Sequence, residues 1–385
     1  MQATDRYRVL IAGGGVAALE AMVALRTLAG EIVDVELLAP DRDFFYRPLS
    51  VTEPFEQTQQ LRFDLGALAA GCGASHRLGS LVAVSPDRHV ARTKHGHEIA
   101  YDALLLALGA RQKIALSGAL TFGGHRDVRG FTRVLDEIVG GLLASVAFVV
   151  PPGVTWPLPL YELALQTATR LGELGGERPQ LTVVTIEEEP LGVFGHESGE
   201  AVARLLEERG IELQAGVYAE RFVDGLVHVV PGEPVPAERA VALPVLAGIP
   251  VAGVPVDASG FVHTDELGRV DDLDDVYAAG DGTDFPIKQG GLAAQQAAAA
   301  ATAIAHAAGA PVEPEKFEPV LRGLLLTGGG PTFLRAELGG GHMYAAEAGE
   351  EPLWWPPAKI AARYLGPYLA ERAGSAFTPF AVRAG

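Results

Sequence analysis

Residues 8–39 read RVLIAGGGVAALEAMVALRTLAGEIVDVELLA, and this stretch decides the fold. A short apolar run leads into three glycines, a helical pattern follows, and a second apolar run ends at Ala39. This order predicts the strand, turn, helix and strand that open a dinucleotide-binding α/β unit. The pattern is GxGxxA, in which the first glycine permits the tight turn, the second lets the backbone approach a diphosphate, and the alanine lets helix and strand pack closely. The residues expected at the diphosphate are Gly13, Gly15, Val16, Ala17 and Ala18.

The end of the second strand departs from the usual pattern. Rossmann-type units carry an acidic residue there, which holds the ribose hydroxyls. It should fall near Ala39, where the chain reads LAPDR over residues 38–42. Asp41 is a candidate for binding the ribose, and Arg42 is a candidate for stacking on the adenine. The sequence leaves both assignments open.

The bulk composition limits the class of protein. A chain of 385 residues with 48% hydrophobic and 20% charged residues fits a packed globular protein of two or three domains. The net charge of -18 argues against nucleic-acid binding, which needs a basic surface. Cys72 is the only cysteine, so no intramolecular disulfide can form, and the histidines lack ligand spacing, so we predict no metal site. Without a secretory signal or an uninterrupted apolar span, we expect a cytoplasmic protein.

Hydrophobic periodicity along the rest of the chain predicts an α/β fold with two Rossmann-like dinucleotide-binding domains in series. Residues 1–114 and 255–317 are expected to form the first domain, which a late segment completes. Residues 115–254 form the second domain. Residues 318–385 form a C-terminal capping or interface segment.

Two later segments resemble a known family. YDALLLALGAR at 101–111 resembles the "YDxLIIATGA" turn of FAD-dependent pyridine nucleotide-disulfide oxidoreductases, and VYAAGD at 276–281 resembles their "IYAxGD" motif. The resemblance implies a non-covalent FAD in the first domain and a degenerate NAD(P)-binding-like second domain. It also implies that Asp281 binds the ribityl chain of the flavin, and that the next helix points its N-terminus at the pyrimidine edge. The cofactor residues that it adds are Ala107, Leu108, Gly109, Gly280 and Asp281.

Within this superfamily the chain resembles the branch of sulfide:quinone oxidoreductase, flavocytochrome c sulfide dehydrogenase and type II NADH dehydrogenase. FFYRPLSV at 44–51 resembles an aromatic–Pro–Leu segment of that branch, which implies that Arg47 and Pro48 lie at the cofactor. PIKQG at 286–290 resembles a stretch that puts a lysine beside the flavin, which implies Lys288 and Gly290. A cation and a helix start both favour the negative charge of reduced flavin.

The second nucleotide loop departs from the family. Residues 148–165 read FVVPPGVTWPLPLYELAL, with four prolines, a tryptophan and one glycine where a glycine loop would hold NAD(P)H. Proline has no N–H donor, so this loop cannot form a phosphate-binding nest. The sequence therefore predicts that the second domain binds NAD(P)H poorly or not at all.

The same loop carries the candidate reactive residues. Alignment on Tyr161 and Glu162 puts Trp156 where sulfide-oxidising relatives carry a cysteine, and with no second cysteine a thiol relay is excluded. One hypothesis is that Trp156 and Tyr161 wall the flavin and shape a pocket for a quinone. The alternative is that Trp156 fills an abandoned nucleotide site. Glu162 resembles a glutamate that lies near flavin and quinone in NADH dehydrogenases, and it is a candidate proton carrier.

The C-terminal residues show an amphipathic pattern. A helix predicted after Pro357 puts an apolar stripe on one side, with Lys359 and Arg363 elsewhere. We favour packing of this stripe on the first domain or on a homodimer partner, with peripheral membrane contact as the alternative. The stripe consists of Ile360, Tyr364, Leu365, Tyr368 and Leu369.

The sequence thus predicts an FAD-dependent oxidoreductase that takes electrons from a small-molecule donor and passes them to a quinone-like acceptor without a cysteine relay. One alternative is an NAD(P)H dehydrogenase with an atypical nicotinamide site, in which Glu187 would hold a ribose. A second is a non-catalytic flavin-binding or interaction subunit of an electron-transfer complex. The candidate catalytic residues are Lys288, Glu162, Tyr161 and Trp156.

Overall fold

Two five-stranded parallel sheets organise the chain in this computed structural model, which describes residues 6–58, 60–175, 179–339 and 342–377. The helices are α1 Val16–Ala29, α2 Leu65–Gly71, α3 Val128–Val139, α4 Leu158–Leu174, α5 His196–Glu208, α6 Gly290–Ala307 and α7 Leu365–Ala373. The strands up to the second unit are β1 Tyr7–Ala12, β2 Val33–Ala39, β3 Asp43–Phe45, β4 Arg62–Asp64, β5 Ser75–Leu78, β6 Leu81–Ser85, β7 Val90–Thr93, β8 Glu98–Ala100, β9 Ala103–Leu106, β10 Arg111–Lys113 and β11 Leu120–Thr121. The later strands are β12 Ser145–Val150, β13 Gln180–Thr185, β14 Ile211–Gln214, β15 Tyr218–Val223, β16 Leu226–Val230, β17 Val235–Pro236, β18 Arg239–Ala242, β19 Val245–Ala247, β20 Val276–Ala278, β21 Val320–Leu325, β22 Thr332–Gly339 and β23 His342–Gly349.

The first sheet has the order β20-β9-β1-β2-β5. Val9 of β1 lies opposite Val35 of β2 on one side and Ala103 of β9 on the other. Successive residues of β1 face different apolar clusters, with Ile11 in one and Leu10 in the other, because side chains alternate across a strand. The late strand β20 pairs with β9, and α6 packs on α1 through many alanines, so the carboxyl edge of this sheet gathers residues from both ends of the chain.

The second sheet has the order β11-β18-β12-β13-β14, with all neighbours parallel. The buried strand β12 runs into the proline loop, and α4 follows. Helix α3 ends at Val139, earlier than its apolar pattern indicates, because Gly140 and Gly141 follow and Gly141 adopts φ +68°. The predicted α/β class with two Rossmann-like units is confirmed. The domain boundaries stay a prediction.

The C-terminal part contains a three-stranded antiparallel sheet, β21-β22-β23, and then α7. The helix predicted directly after Pro357 begins only at Leu365, because buried groups elsewhere hold the backbone before it. The Ile360 N–H donates to the Tyr46 hydroxyl at 3.0 Å. The carboxylate of Glu20, 0% exposed in α1, accepts the N–H groups of Tyr364 at 3.0 Å and Leu365 at 2.6 Å, and so caps α7.

The part of the predicted apolar stripe that lies in α7 packs on the chain's own core. Leu365 and Leu369 are 1% and 0% exposed, and Tyr368 donates to the Leu68 carbonyl at 2.7 Å. This arrangement favours the packing alternative over membrane contact through that stripe. Among the described residues, we find no helix with the length and apolar character to span a bilayer. Residues 378–385 of the predicted C-terminal segment lie outside the described part of the chain.

Candidate functional site

The three predicted cofactor motifs meet at the carboxyl edge of the first sheet. Gly13 adopts φ +141°, and a Cβ there would lie 2.0 Å from the Ala107 carbonyl oxygen. Gly280 adopts φ +87°, and a Cβ there would lie 3.1 Å from the Ala17 Cβ. Both positions require glycine, because any other residue would be strained at this positive φ and its Cβ would collide with the residue of the facing motif. Gly282, next to Asp281, likewise approaches the Gly109 carbonyl, with 3.1 Å to a Cβ.

An open space lies above this edge. A Cβ on Gly15 or on Gly109 would have no atom within 4 Å. Gly15 is the N-cap of α1, and no side chain caps that helix start. The first N–H groups of α1 therefore point into free space with a positive helix end behind them, which suits a diphosphate. We call this space, bounded by Gly13, Gly15, Gly109 and Asp281, the cofactor cradle, and its shape fits FAD.

Two cations lie within electrostatic reach of Asp281. Burial raises the pKa of the Asp281 carboxyl, and Arg47 and Lys288 partly oppose that rise. Arg47 is exposed, and its guanidinium makes no ion pair or hydrogen bond with any residue in the described part of the chain. Lys288 is 7% exposed, donates to the Thr283 carbonyl and lies 3.9 Å from the centroid of the Phe261 ring. Burial lowers the pKa of Lys288.

The start of α6 carries the predicted Gly290 and one residue that sequence reasoning missed. The Gln289 side chain accepts the Leu292 N–H at 2.8 Å and donates to the Arg322 carbonyl at 3.2 Å, so it caps α6 and ties it to β21. Gln289 directly precedes a long alanine-rich helix, which is the signal that could have identified it as a cap. A Cβ on Gly290 would lie 2.9 Å from the Ile360 Cδ1, so the C-terminal segment closes this side.

Glu162 lies in a buried ion pair. Its carboxylate is 0% exposed, receives a hydrogen bond from the Lys359 ammonium and accepts the Leu326 N–H at 2.9 Å. Lys359 also donates to the Leu324 carbonyl at 2.9 Å. Burial raises the pKa of Glu162 and lowers that of Lys359, while each charge opposes the shift of the other. The second Glu162 carboxylate oxygen is buried and has no partner among the described residues.

Lys359 was predicted away from the buried side of a C-terminal helix, and that prediction is wrong. The residue precedes α7, and its side chain is only 6% exposed because it reaches the carboxylate on α4. The partners are 197 positions apart. No local pattern could have paired them.

The two aromatic residues of the proline loop pack within the second unit. Tyr161 is 0% exposed, and its hydroxyl donates to the Glu187 carboxylate at 2.7 Å. This contact holds the Tyr161 side chain beside the second sheet, whereas the flavin-wall hypothesis put it beside the flavin. Trp156 is half-buried and meets Phe194 edge-on, with ring centroids 5.7 Å apart. The packing alternative for Trp156 is the one that these contacts favour.

A cavity of about 460 Å³ lies at the carboxyl edge of the second sheet. We call it the second crevice. It is open to solvent, although the proline-rich loop forms part of its wall. Its walls combine apolar side chains with three consecutive carboxylates, and its helix α4 begins after Pro157 with a further proline in the first turn. The lining residues are Val150, Val154, Thr155, Pro157, Ile186, Glu187, Glu188, Glu189, Gly192 and Val193.

The remaining predicted residues lie just beyond the end of β2 or next to the motif residues in the sequence. Asp41 and Arg42 are exposed just beyond β2, and their adenosine contacts stay predictions. Leu108 is half-buried between Ala107 and Gly109, and Pro48 is half-buried beside Arg47.

Comparison with known proteins shows which family this chain belongs to and which solved structures share its fold. The family model for pyridine nucleotide-disulphide oxidoreductases matches residues 7–307. Among solved structures, sulfide:quinone oxidoreductase from Aquifex aeolicus is 21% identical with a TM-score of 0.77, over 89% of this chain and 87% of that one. A ferredoxin reductase from Rhodopseudomonas palustris is 17% identical with a TM-score of 0.65, over 86% and 82%. NDH2 from Plasmodium falciparum is 13% identical with a TM-score of 0.60, over 72% and 64%.

These three likenesses concern the fold, whereas the family match spans both sheets and the cofactor cradle. FAD is the cofactor of the family, and the open, uncapped cradle fits it. This chain belongs to the pyridine nucleotide-disulphide oxidoreductases and is an FAD-dependent enzyme of that family.

Proposed function

We propose that this enzyme passes electrons from a small-molecule donor through non-covalent FAD to a quinone-like acceptor, using neither NAD(P)H nor a thiol relay. FAD, when bound, supplies the redox chemistry. The observation that carries the proposal is the second crevice, which lies where open α/β sheets bind their ligands and which presents three carboxylates. A cytoplasmic location and a homodimer are further parts of the proposal.

The negative charge of the second crevice opposes the binding of a dinucleotide. NAD(P)H carries at least two negative charges on its diphosphate, and Glu187, Glu188 and Glu189 line the cavity. Two like charges 8 Å apart repel by about 2 kcal/mol at an effective dielectric constant of about 20, so several such pairs would remove most of the binding energy. The prolines at the start of α4 also remove N–H donors that would otherwise offset the charge.

The alternative role of Glu187 in binding a ribose is disfavoured by its contacts. Its carboxylate already accepts the Tyr161 hydroxyl at 2.7 Å and the Thr185 hydroxyl at 3.1 Å. Both hydrogen bonds reach the same carboxylate oxygen, so they fix the orientation of the Glu187 side chain within the second unit. Burial also raises the pKa of Glu187, and the hydrogen bonds from Tyr161 and Thr185 oppose that rise.

A thiol relay is disfavoured by the position of Cys72, the only cysteine. The residue ends α2 in the first unit and is 6% exposed. Burial raises the pKa of its thiol, although Tyr368, Arg372 and Arg26 oppose the rise. A protonated, buried thiol is a poor nucleophile, so electrons must enter the flavin directly.

The proposed acceptor needs protons, and Glu162 is the candidate group to supply them. A quinone takes up two protons with two electrons. Glu162 has a raised pKa and one unpartnered oxygen that can hold a proton. When that proton is given up, the Lys359 ammonium stabilises the negative charge of the carboxylate. Lys288 lies within reach of Asp281, where its charge would favour reduced flavin. These contacts support Glu162 and Lys288 as the reactive candidates.

The test is an anaerobic reductant screen on the purified protein. We expect a yellow protein whose flavin absorbance at about 450 nm is bleached by dithionite and recovers when a soluble quinone is added. NADH and NADPH should leave the absorbance of the oxidised protein unchanged. A matched variant with Glu187→Gln, Glu188→Gln and Glu189→Gln should gain a measurable affinity for NADH, because it removes the repulsion and keeps the shape.

Two results would contradict the proposal. Rapid bleaching of the wild-type flavin by NADH or NADPH would support the dehydrogenase with an atypical nicotinamide site. A colourless protein that takes up no added FAD would support the non-catalytic subunit instead.

A further inference from the structure

A loop of the second unit reaches across to the first. Residues 123–127, GGHRD, connect β11 to α3. The His125 ring stacks on Phe45, with ring centroids 4.3 Å apart and an interplanar angle of 13°. A Cβ on Gly124 would lie 3.1 Å from the Arg47 Cδ, so the loop backbone rests on the Arg47 side chain. We call residues 123–127 the bridging loop.

The other end of the bridging loop is fixed beside the Gly109 turn. Gln112, three positions after Gly109, donates to the Gly123 carbonyl at 2.7 Å. Asp127 is the N-cap residue of α3, yet its carboxylate accepts the Gly123 N–H at 2.8 Å and no N–H group of the helix. The loop is therefore held internally, with Gln112 on one side and the Arg47 side chain on the other.

Arg47 is the residue on which the loop acts. Its guanidinium is unpaired within the described part of the chain and lies within electrostatic reach of Asp281, the residue expected at the ribityl chain. It is also within reach of His125, as is Asp41 at the expected adenosine end. An unpaired cation near Asp281 suits an anionic group of the cofactor, and the diphosphate expected at the start of α1 is such a group.

The His125 ring acts here by stacking rather than by charge. Burial lowers the pKa of His125, the Arg126 and Arg47 charges lower it further, and Asp127 and Asp41 oppose them. The imidazole is therefore neutral near pH 7, which suits a flat ring on Phe45.

We propose that His125 is a positioning residue for FAD, whose ring, seated on Phe45, holds Arg47 over the cofactor diphosphate. The inference rests on the cofactor cradle and is independent of the proposed donor and acceptor. It gives the second unit a role in retaining FAD in the first.

The test measures FAD affinity of the apoprotein by fluorescence titration. His125→Ala should weaken binding about tenfold, the value of a stacked aromatic pair. His125→Phe keeps the ring and should stay close to wild type. Arg47→Ala should weaken binding by about 10- to 100-fold, as expected for a charge-assisted phosphate contact. The double variant, His125→Ala with Arg47→Ala, should bind FAD no more weakly than Arg47→Ala alone.

Two controls distinguish a lost stacking contact from a general loss of folding. His95→Ala, in an exposed turn, should leave the affinity unchanged, and circular dichroism should show that each variant is folded. Wild-type affinity in His125→Ala, or effects that simply multiply in the double variant, would overturn the positioning role. If His125→Phe bound FAD as weakly as His125→Ala, the stacking role of the ring would be overturned. A wild-type protein that binds no FAD would refute the cradle itself.

Discussion

Replacing Gly15 with valine is expected to abolish FAD binding and to leave the fold intact. Gly15 has φ -93° and ψ -167°, an extended backbone that any residue adopts, and a Cβ there meets no atom within 4 Å. The valine methyl groups would instead fill the space over the first turn of α1, where we expect the diphosphate to lie. We expect affinity to fall by about 100-fold or more, equivalent to about 3 kcal/mol, read from the ratio of flavin to protein absorbance.

A matched substitution isolates the cradle from general effects of adding a side chain. Gly330 also has no atom within 4 Å of a Cβ and has no left-handed backbone, but it lies in the turn between β21 and β22. Gly330→Val should keep both flavin and thermal stability. The Gly15→Val variant should unfold within a few degrees of wild type, since replacing an N-cap glycine costs about 1 kcal/mol. Normal flavin content in Gly15→Val would show that the cradle is assigned to the wrong space.

The Lys359→Met substitution is expected to destabilise the protein by about 3–5 kcal/mol, because it leaves the Glu162 carboxylate buried without its counter-charge. The Leu324 carbonyl loses a donor at the same time. Unfolding in urea, followed by circular dichroism, measures the loss. The double variant Glu162→Gln with Lys359→Met should recover much of the stability, since it removes both charges from the buried site.

The loss in Lys359→Met should depend on pH. Burial raises the pKa of Glu162 in the folded protein above its unfolded value of about 4.3, and because the Lys359 charge opposes that rise, Lys359→Met raises the pKa further. An acid with a raised folded pKa costs stability at high pH, and that cost disappears as pH falls through the folded pKa toward the unfolded one. The variant should therefore approach wild type at pH 5 and differ most at pH 8. Lys316→Met, which breaks an exposed pair with Glu266, should change little at either pH.

The parts of the fold that follow from the sequence are those with a local signal. The bounds of β2, residues 33–39, and the end of α4 at Leu174 agree with the apolar patterns, and the three cofactor motifs meet as their order along the chain implied. A glycine turn is predictable because its cause lies in the backbone of the same few residues. Strand alternation is local for the same reason.

The parts that did not follow depend on contacts between distant residues. The apolar spacing from Ile360 onward fits a helix, yet residues before Leu365 are held non-helical by Tyr46 and Glu20. The sequence made Glu187 a candidate for the second nucleotide site, but only the structure shows that Glu188 and Glu189, in the loop after β13, line the same cavity. A buried pair such as Glu162 and Lys359 leaves no periodic trace in either segment.

The place of β20 in the first sheet also sets the order in which the protein can mature. Residues 7–106 leave the ribosome early, but their sheet lacks an edge, and the cradle lacks Asp281, until the last third of the chain is made. At about 5–20 residues per second this delay lasts about ten seconds or more. We therefore expect the vitamin-derived cofactor to be loaded only near the end of biosynthesis, and a fragment that ends before β20 to be unable to retain it.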